Sequence, residues 1–357
     1  MITGNKGEWS EIYALFKLLG EGKVYAGDKN LNKIESIFYP IIKILRTEKD
    51  GNYEYSLADN VVIVTEDGTE LLRKNVGDFL TQAQSLLDIM RKSKGTFEAP
   101  DIERFMEEIH CRTLKAKSQD KTDIRIVIHD SRIGMESLLG FSIKSQVGSN
   151  STLLNAGKTT NITYKISDAE FTDTEIDEIN AISTKQKIKD RVKAIEDKGG
   201  KLNFERVDDG TFRNNLIMID TCMPQIIGEA LKVYSTGISV LSEIMEDVSK
   251  TNPIGYDMTS NHSFYEHKMK NLLVASALGM VPHTQWEGQF EANGGYLVVK
   301  EDGDVLCYHF YNRNLFEDYL YNNTKFESAS TTRNEYARLY RQDGGLYFKL
   351  NLQIRFK

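Results

Sequence analysis

Residues 123–130 read DIRIVIHD and residues 138–147 read LLGFSIKSQV. The first alternates with period two over most of its length and is rich in Ile and Val, as half-buried strands are. The second is read as its partner strand, and the polar SRIGMES between them makes an antiparallel hairpin. Pairing Asp123 with Lys144 centres the turn between Ile133 and Gly134. Opposite residues share a face. Asp123, Arg125, Ser142, Lys144 and Gln146 then fall on one face, and Ile124, Ile126, Ile128, Phe141 and Ile143 on the other. A slip of one residue would mix the two sets. A chain carrying this hairpin must bury one face of a sheet and present an acid and a lysine on the other.

The surrounding pattern is an α/β (α+β) one. Trp9, Ile12, Tyr13, Phe16 and Leu19 recur at helical spacing up to Gly20, with Glu8 and Glu11 three apart beside that stripe. Residues 32–48 read as a strand or short helix, 53–65 as strands, and 74–93 and 99–109 as helices. Residues 168–197 and 225–250 have helical patterns, with Ser167 as N-cap and Glu170 as its capping-box partner. The final hundred residues carry Gly-Gly pairs, many aromatics and an alternating strand at 346–356. The expected organisation is a core over 1–165 containing the hairpin 123–147, followed by a helical insertion and a C-terminal β-rich region over 166–357.

The 357 residues carry a formal charge of −7, which excludes a uniformly basic nucleic-acid coat but not a local one. No apolar run reaches the ~18 residues of a membrane span, and the first residues show no basic-then-apolar leader. Cys111, Cys222 and Cys307 are widely spaced and make no metal-binding pair, so they read as reduced, cytoplasmic thiols. His262, His267 and His283 lack the i, i+4 spacing of a metal-binding helix face.

An acid and a lysine on one sheet face suit phosphodiester hydrolysis. The carboxylate would hold a divalent cation that polarises the phosphate and acidifies water, and the lysine would stabilise charge. Oxygen ligands without a Cys/His cluster point to Mg²⁺. The plain alternative is a cross-strand surface salt bridge.

The stretch GFSIKSQVGSNSTLLNAGKTTNITYKI at 140–166 resembles the HpaII-type restriction endonucleases. GNKGEWSEIYALFKLL at 4–19, HSFYEHKMKNLLVASALGM at 262–280, FYNRNLFEDYLYNNTKFE at 310–327 and the closing KLNLQIRFK are similar in style, so the resemblance covers most of the chain. It implies a Type II enzyme with a PD-(D/E)XK nuclease core, a mixed sheet flanked by helices. It also implies Mg²⁺, double-stranded DNA cut at CCGG, and a partner methyltransferase that protects the host. A homodimer on the palindromic site would match protein symmetry to DNA symmetry. In that class an Asp begins one strand and an acid-x-Lys triplet lies in the next, which assigns Asp123 to the metal and Lys144 to catalysis. Thr122 stands where the class often has Pro. Ser142 stands where it usually has an acid, and no acid occurs between Lys144 and Asp168. Glu11 or Glu8 would therefore complete the metal site, with Gln146 holding a metal-bound water. If no acid reaches this face, the chain would be a sequence-specific DNA-binding protein with a degenerate, non-cutting site.

Between 111 and 167 nine Lys and Arg face four Asp and Glu, leaving the rest of the chain at −12. Phosphate contacts need such local cations. The acid-free run from 145 to 167 offers Ser145, Ser149, Asn150, Ser151, Thr152, Asn155 and Lys158 for phosphate or base contacts. In a second polar cluster at 312–333, Arg313, Lys325 and Arg333 are the cations suited to a G/C-rich target.

Overall fold

The computed structural model describes residues 1–115, 122–130, 134–148 and 150–357. They form two compact units, one of Met1–Ser151 with Phe290–Tyr319 and one of Thr152–Gln289 with Leu320–Lys357. The division is not a single cut at 165, because two strands from beyond residue 290 return to the sheet of the first unit.

Among the described residues the sheet of the first unit has nine strands. In spatial order they are Lys23–Gly27, Val305–His309, Gly295–Val299, Met135–Ser145, Ile124–Asp130, Lys33–Thr47, Asn52–Ala58, Val61–Glu66 and Thr69–Asn75. Lys33–Thr47 is long enough to pair twice. Its first half also meets Lys23–Gly27, so the first six strands close on themselves. The sheet is mixed: Gly295–Val299 runs parallel to Met135–Ser145, and Val305–His309 parallel to Lys23–Gly27.

Helix α1 (Lys6–Glu21) is set by its ends. Asn5 accepts from the Glu8 N–H while the Glu8 carboxylate accepts from the Asn5 N–H at 2.9 Å, a reciprocal capping box. Gly22 ends the helix at φ 68°, a left-handed position that glycine adopts without strain. Trp9, Ile12, Phe16 and Leu19 are fully buried. Phe16 meets Phe79 and Phe105 from the helices Val76–Lys92 and Pro100–Glu108, with the three ring centroids 5.2 to 6.1 Å apart.

One buried ion pair stands in this core. Arg46 Nε lies 2.5 Å from Glu48 Oε1, and the other Glu48 oxygen accepts from the Thr113 hydroxyl at 2.8 Å. Removing one member of such a pair strands the other charge in a low dielectric. Glu48→Ala should therefore lower the unfolding free energy by about 3–5 kcal/mol, read from urea denaturation.

The expected strands and helices of the first unit are present, with one change in the hairpin. Its register runs from Ile124↔Phe141 to Asp130↔Met135, two residues away from an Asp123–Lys144 pairing. Alternation cannot detect this shift, because moving a strand by two residues leaves every side chain on its own face. The turn residues 131–133 lie outside the described residues.

In the second unit, Lys201–Val207, Asn161–Ser167, Gly345–Asn351 and Leu339–Gln342 form an antiparallel sheet. Thr152–Leu154, Ile354–Phe356 and Thr324–Phe326 form a smaller one. The expected helix over 168–197 is two helices, Asp173–Ala181 and Lys187–Asp197. Ser167 is the last residue of a strand rather than an N-cap. The cap is Thr172 with Glu175 as its capping-box partner, five residues later in the same pattern. Asp168, at φ 66°, turns the chain between strand and helix. Helix Phe264–Leu278 gives no amphipathic signal because it buries Tyr265, Met269, Leu272–Ala275, Ala277 and Leu278 on most of its faces. Among the described residues, no helix is long and apolar enough to cross a membrane.

Candidate active site

The hairpin, α1 and the returning strand Gly295–Val299 build one polar site in the first unit. Asp123 sits at the mouth of Ile124–Asp130, where its N–H donates to the Phe141 carbonyl at 2.9 Å. Its Oδ2 accepts from the Ile143 N–H at 2.7 Å, so the neighbouring strand fixes the carboxylate. Gly140 allows this approach, since a Cβ there would lie 2.4 Å from Thr122 Cγ2. Asp123 also borders a cavity of about 330 Å³ whose wall includes Arg46, Thr122 and Arg125.

Lys144 lies on the adjacent strand. The strand register places it opposite Val298, two residues beyond Tyr296, and its ammonium sits 4.9 Å from the Tyr296 ring centroid. Tyr296 is almost fully buried and forms an aromatic floor that a cation favours. Burial pushes the Lys144 ammonium below its usual pKa, and the charges of Asp123 and Glu11 partly restore it.

Glu11 faces the same group. Its carboxyl is pushed up to about 8, first by burial and next by the negative charge of Asp123. Lys115 and Arg46 act in the opposite direction. A carboxyl whose proton affinity is raised by burial and by a neighbouring carboxylate, as Glu11 is, is what a hard divalent cation relieves. Among the described residues no cluster of three or more His, Cys, Asp or Glu converges. Mg²⁺ commonly takes only one or two carboxylates and fills its other positions with water and phosphate oxygens, so this donor set fits it.

Glu8 is occupied differently. It closes the α1 capping box and pairs with Lys115 at 3.4 Å. The spacing of Glu8 and Glu11 could not separate them, but Asn5-x-x-Glu8 is itself a capping pattern and was the available signal. Ser142 is buried opposite Tyr296 in the parallel register. The Gln146 N–H extends that ladder by donating to the Val299 carbonyl at 2.8 Å.

Two residues of the site carry no sequence signal. Tyr296 arrives from a distant segment. Ser10, fully buried, donates to the Lys6 carbonyl and bonds the Ser145 hydroxyl at 2.7 Å. Ser10 precedes Glu11 and Ser145 follows Lys144, so this bond ties the helix bearing the acid to the strand bearing the lysine. Ser145 is thus a clamp between elements rather than an open hydroxyl.

The other expected DNA contacts are distributed. Asn150 and Ser151 are half-buried at the end of the first unit's N-terminal segment, and Ser149 lies outside the described residues. Arg313, also in the first unit, holds Glu317 at 2.6 Å. In the second unit Thr152 pairs with Arg355 in the small sheet, Asn155 is exposed, and exposed Lys158 holds Glu335. Lys325 faces Glu327 at 3.7 Å, and Arg333 is exposed on the short helix Thr331–Asn334.

The profile of the HpaII restriction endonuclease family matches residues 5–356. The chain belongs to that family. It is 45% identical over 359 aligned residues to the Type II restriction enzyme HpaII of Haemophilus parainfluenzae, covering 99% of this chain and 98% of that one. No solved structure matches it. HpaII family membership therefore spans both units.

Proposed function

We propose that this chain is a Type II restriction endonuclease, a site-specific deoxyribonuclease, with a PD-(D/E)XK-type site that uses Mg²⁺ to cut double-stranded DNA at CCGG. Family membership supports the reaction class. The observation that carries the site is the Asp123 carboxylate fixed by the Ile143 N–H one strand from Lys144 over Tyr296, where the charge of Asp123 acts on Glu11 and that of Glu11 on Lys144. Glu11 supplies the acid that Ser142 lacks, which favours a cutting enzyme over a degenerate DNA-binding one.

In this reading Asp123 and Glu11 hold Mg²⁺. Mg²⁺ held there would supply polarisation of the scissile phosphate and a lowered pKa for the attacking water. Asp123 keeps its orientation through the Ile143 N–H. Lys144, held over Tyr296 in a partly dry site, directs positive charge at the phosphoryl oxygens as negative charge builds on them. Gln146, two residues on, is a polar neighbour for a water on the same face. The enzyme would act in the cytoplasm beside a methyltransferase that protects the host site, and would cut both strands as a homodimer or by successive nicking.

The test is direct. Purified protein is incubated with unmethylated DNA of known sequence, with and without Mg²⁺, and the ends are mapped. Discrete Mg²⁺-dependent cuts at CCGG are expected. Cuts at another fixed sequence would keep the nuclease and discard the site, and binding without cutting would discard the nuclease.

A paired substitution separates the two glutamates. Glu11→Gln should reduce the cleavage rate by about 10²-fold or more, a loss of roughly 3 kcal/mol of transition-state stabilisation. Glu8→Ala should leave the rate near wild type and lower stability by less than the ~1 kcal/mol typical of a lost N-cap, since the Asn5 cap remains. Equal losses of activity in both variants would remove the assignment of Glu11.

A further inference from the structure

The second unit contains a cavity of about 480 Å³, a size at which proteins take up small organic ligands. Lys185, Lys187 and Lys189 line it together with the hydroxyl residues Ser239, Ser330 and Thr331, and no carboxylate residue does. None of the three lysines forms an ion pair among the described residues. Acids close by in sequence are engaged: Asp190 accepts from the Thr184 hydroxyl, and Glu327 holds Arg355 at 2.6 Å. Helix Lys187–Asp197 begins at the cavity, and Gln186 gives it no side-chain cap. The uncapped N–H groups of its first turn carry partial positive charge, and the same turn holds Asp190, which accepts from the Thr184 hydroxyl. Gly237, at φ 116°, belongs to the wall, and a Cβ there would lie 2.8 Å from Lys189 Nζ. The glycine lets the ammonium lie against the backbone.

Unpaired cations and hydroxyl donors, without an acid, select an anion rich in oxygen acceptors. Phosphate is that anion. The cations also continue past the cavity. Exposed Arg333 sits on the short helix that starts at the cavity residue Thr331. A run of cations suits a chain of phosphodiesters better than a single free phosphate.

We propose that this cavity binds a backbone phosphate of the DNA substrate. The proposal rests on the nuclease reading above. Lysine and hydroxyl contacts to phosphate fix register and orientation and carry no base information. The cavity thus contributes affinity common to all sequences.

The test uses the full chain carrying Lys185→Gln, Lys187→Gln and Lys189→Gln. The control carries Lys193→Gln, Lys201→Gln and Lys250→Gln, which removes the same charge from lysines paired to Asp197, Asp168 and Glu246. Fluorescence anisotropy measures binding to a CCGG duplex and to a scrambled duplex in EDTA over a range of salt. The cavity variant should bind both duplexes about tenfold more weakly near ~0.1 M salt, with the log–log salt slope reduced by about 1–2. Affinity and slope equal to the control would overturn the proposal. Inorganic phosphate titrated alone gives a second arm: lysine-dependent phosphate binding with unchanged DNA affinity would make this a free-anion site and also overturn it. Failure of the wild-type protein to bind either duplex would instead remove the nuclease reading on which the proposal stands.

Discussion

Asp123→Asn should leave the protein folded and on its DNA while single-turnover cleavage falls at least ~10³-fold, about 4 kcal/mol of transition-state stabilisation. The substitution is chosen from the geometry. Asparagine keeps an oxygen to accept from the Ile143 N–H, a bond of 2.7 Å in the native site, so the strand mouth stays formed. It removes the negative charge that faces Glu11 and Lys144. A neutral amide is a poor ligand for a hard cation, so the loss falls on chemistry rather than on architecture. DNA affinity in EDTA, a thermal melt and a cleavage time course read the three properties separately. Full cleavage by this variant would remove Asp123 from the site.

Lys144→Met should have the second large effect, with the opposite sign on stability. Methionine keeps most of the aliphatic volume over Tyr296 and removes an ammonium that burial disfavours. Unfolding free energy should hold or rise by up to about 1–2 kcal/mol, as expected where a group is kept for activity at the cost of stability. Cleavage should fall by about 10²–10³-fold, since a positive charge directed at the phosphate is lost. A stabilised protein that still cuts at the native rate would show Lys144 to be only a buried cation.

The hairpin illustrates how much of this was legible. A period of two separates Ile124, Ile126 and Phe141 from Asp123 and Lys144 whatever even register the strands adopt. The faces were therefore readable and the pairing was not. The first helix was readable from Trp9, Ile12 and Phe16, because a local period reports a local fold. The spacing of Glu8 and Glu11 does not separate them, since residues three apart share a face; the legible signal was the capping pattern Asn5-x-x-Glu8, and Glu8 makes that capping contact. Tyr296 and Ser10 were beyond reach for another reason. Each acts through a partner more than a hundred residues away in sequence, and one chain's composition carries no trace of such pairings. The buried helix Phe264–Leu278 went unread because burial on most faces erases the stripe by which helices are recognised.

The place of Gly295–Val299 in the sheet has a consequence for how the molecule comes into being. The strand bearing Lys144 gains its parallel neighbour, and the lysine its aromatic floor, only from residues that leave the ribosome long after the hairpin does. Pairings between such distant segments form late, and until then the strand has an open edge. A nascent chain stopped before residue 309 holds Glu11, Asp123 and Lys144 yet lacks part of the framework that sets them against one another. An unfinished copy thus carries the residues of the proposed site without their assembled form, and on that proposal the order of synthesis itself withholds the activity until most of the polypeptide exists.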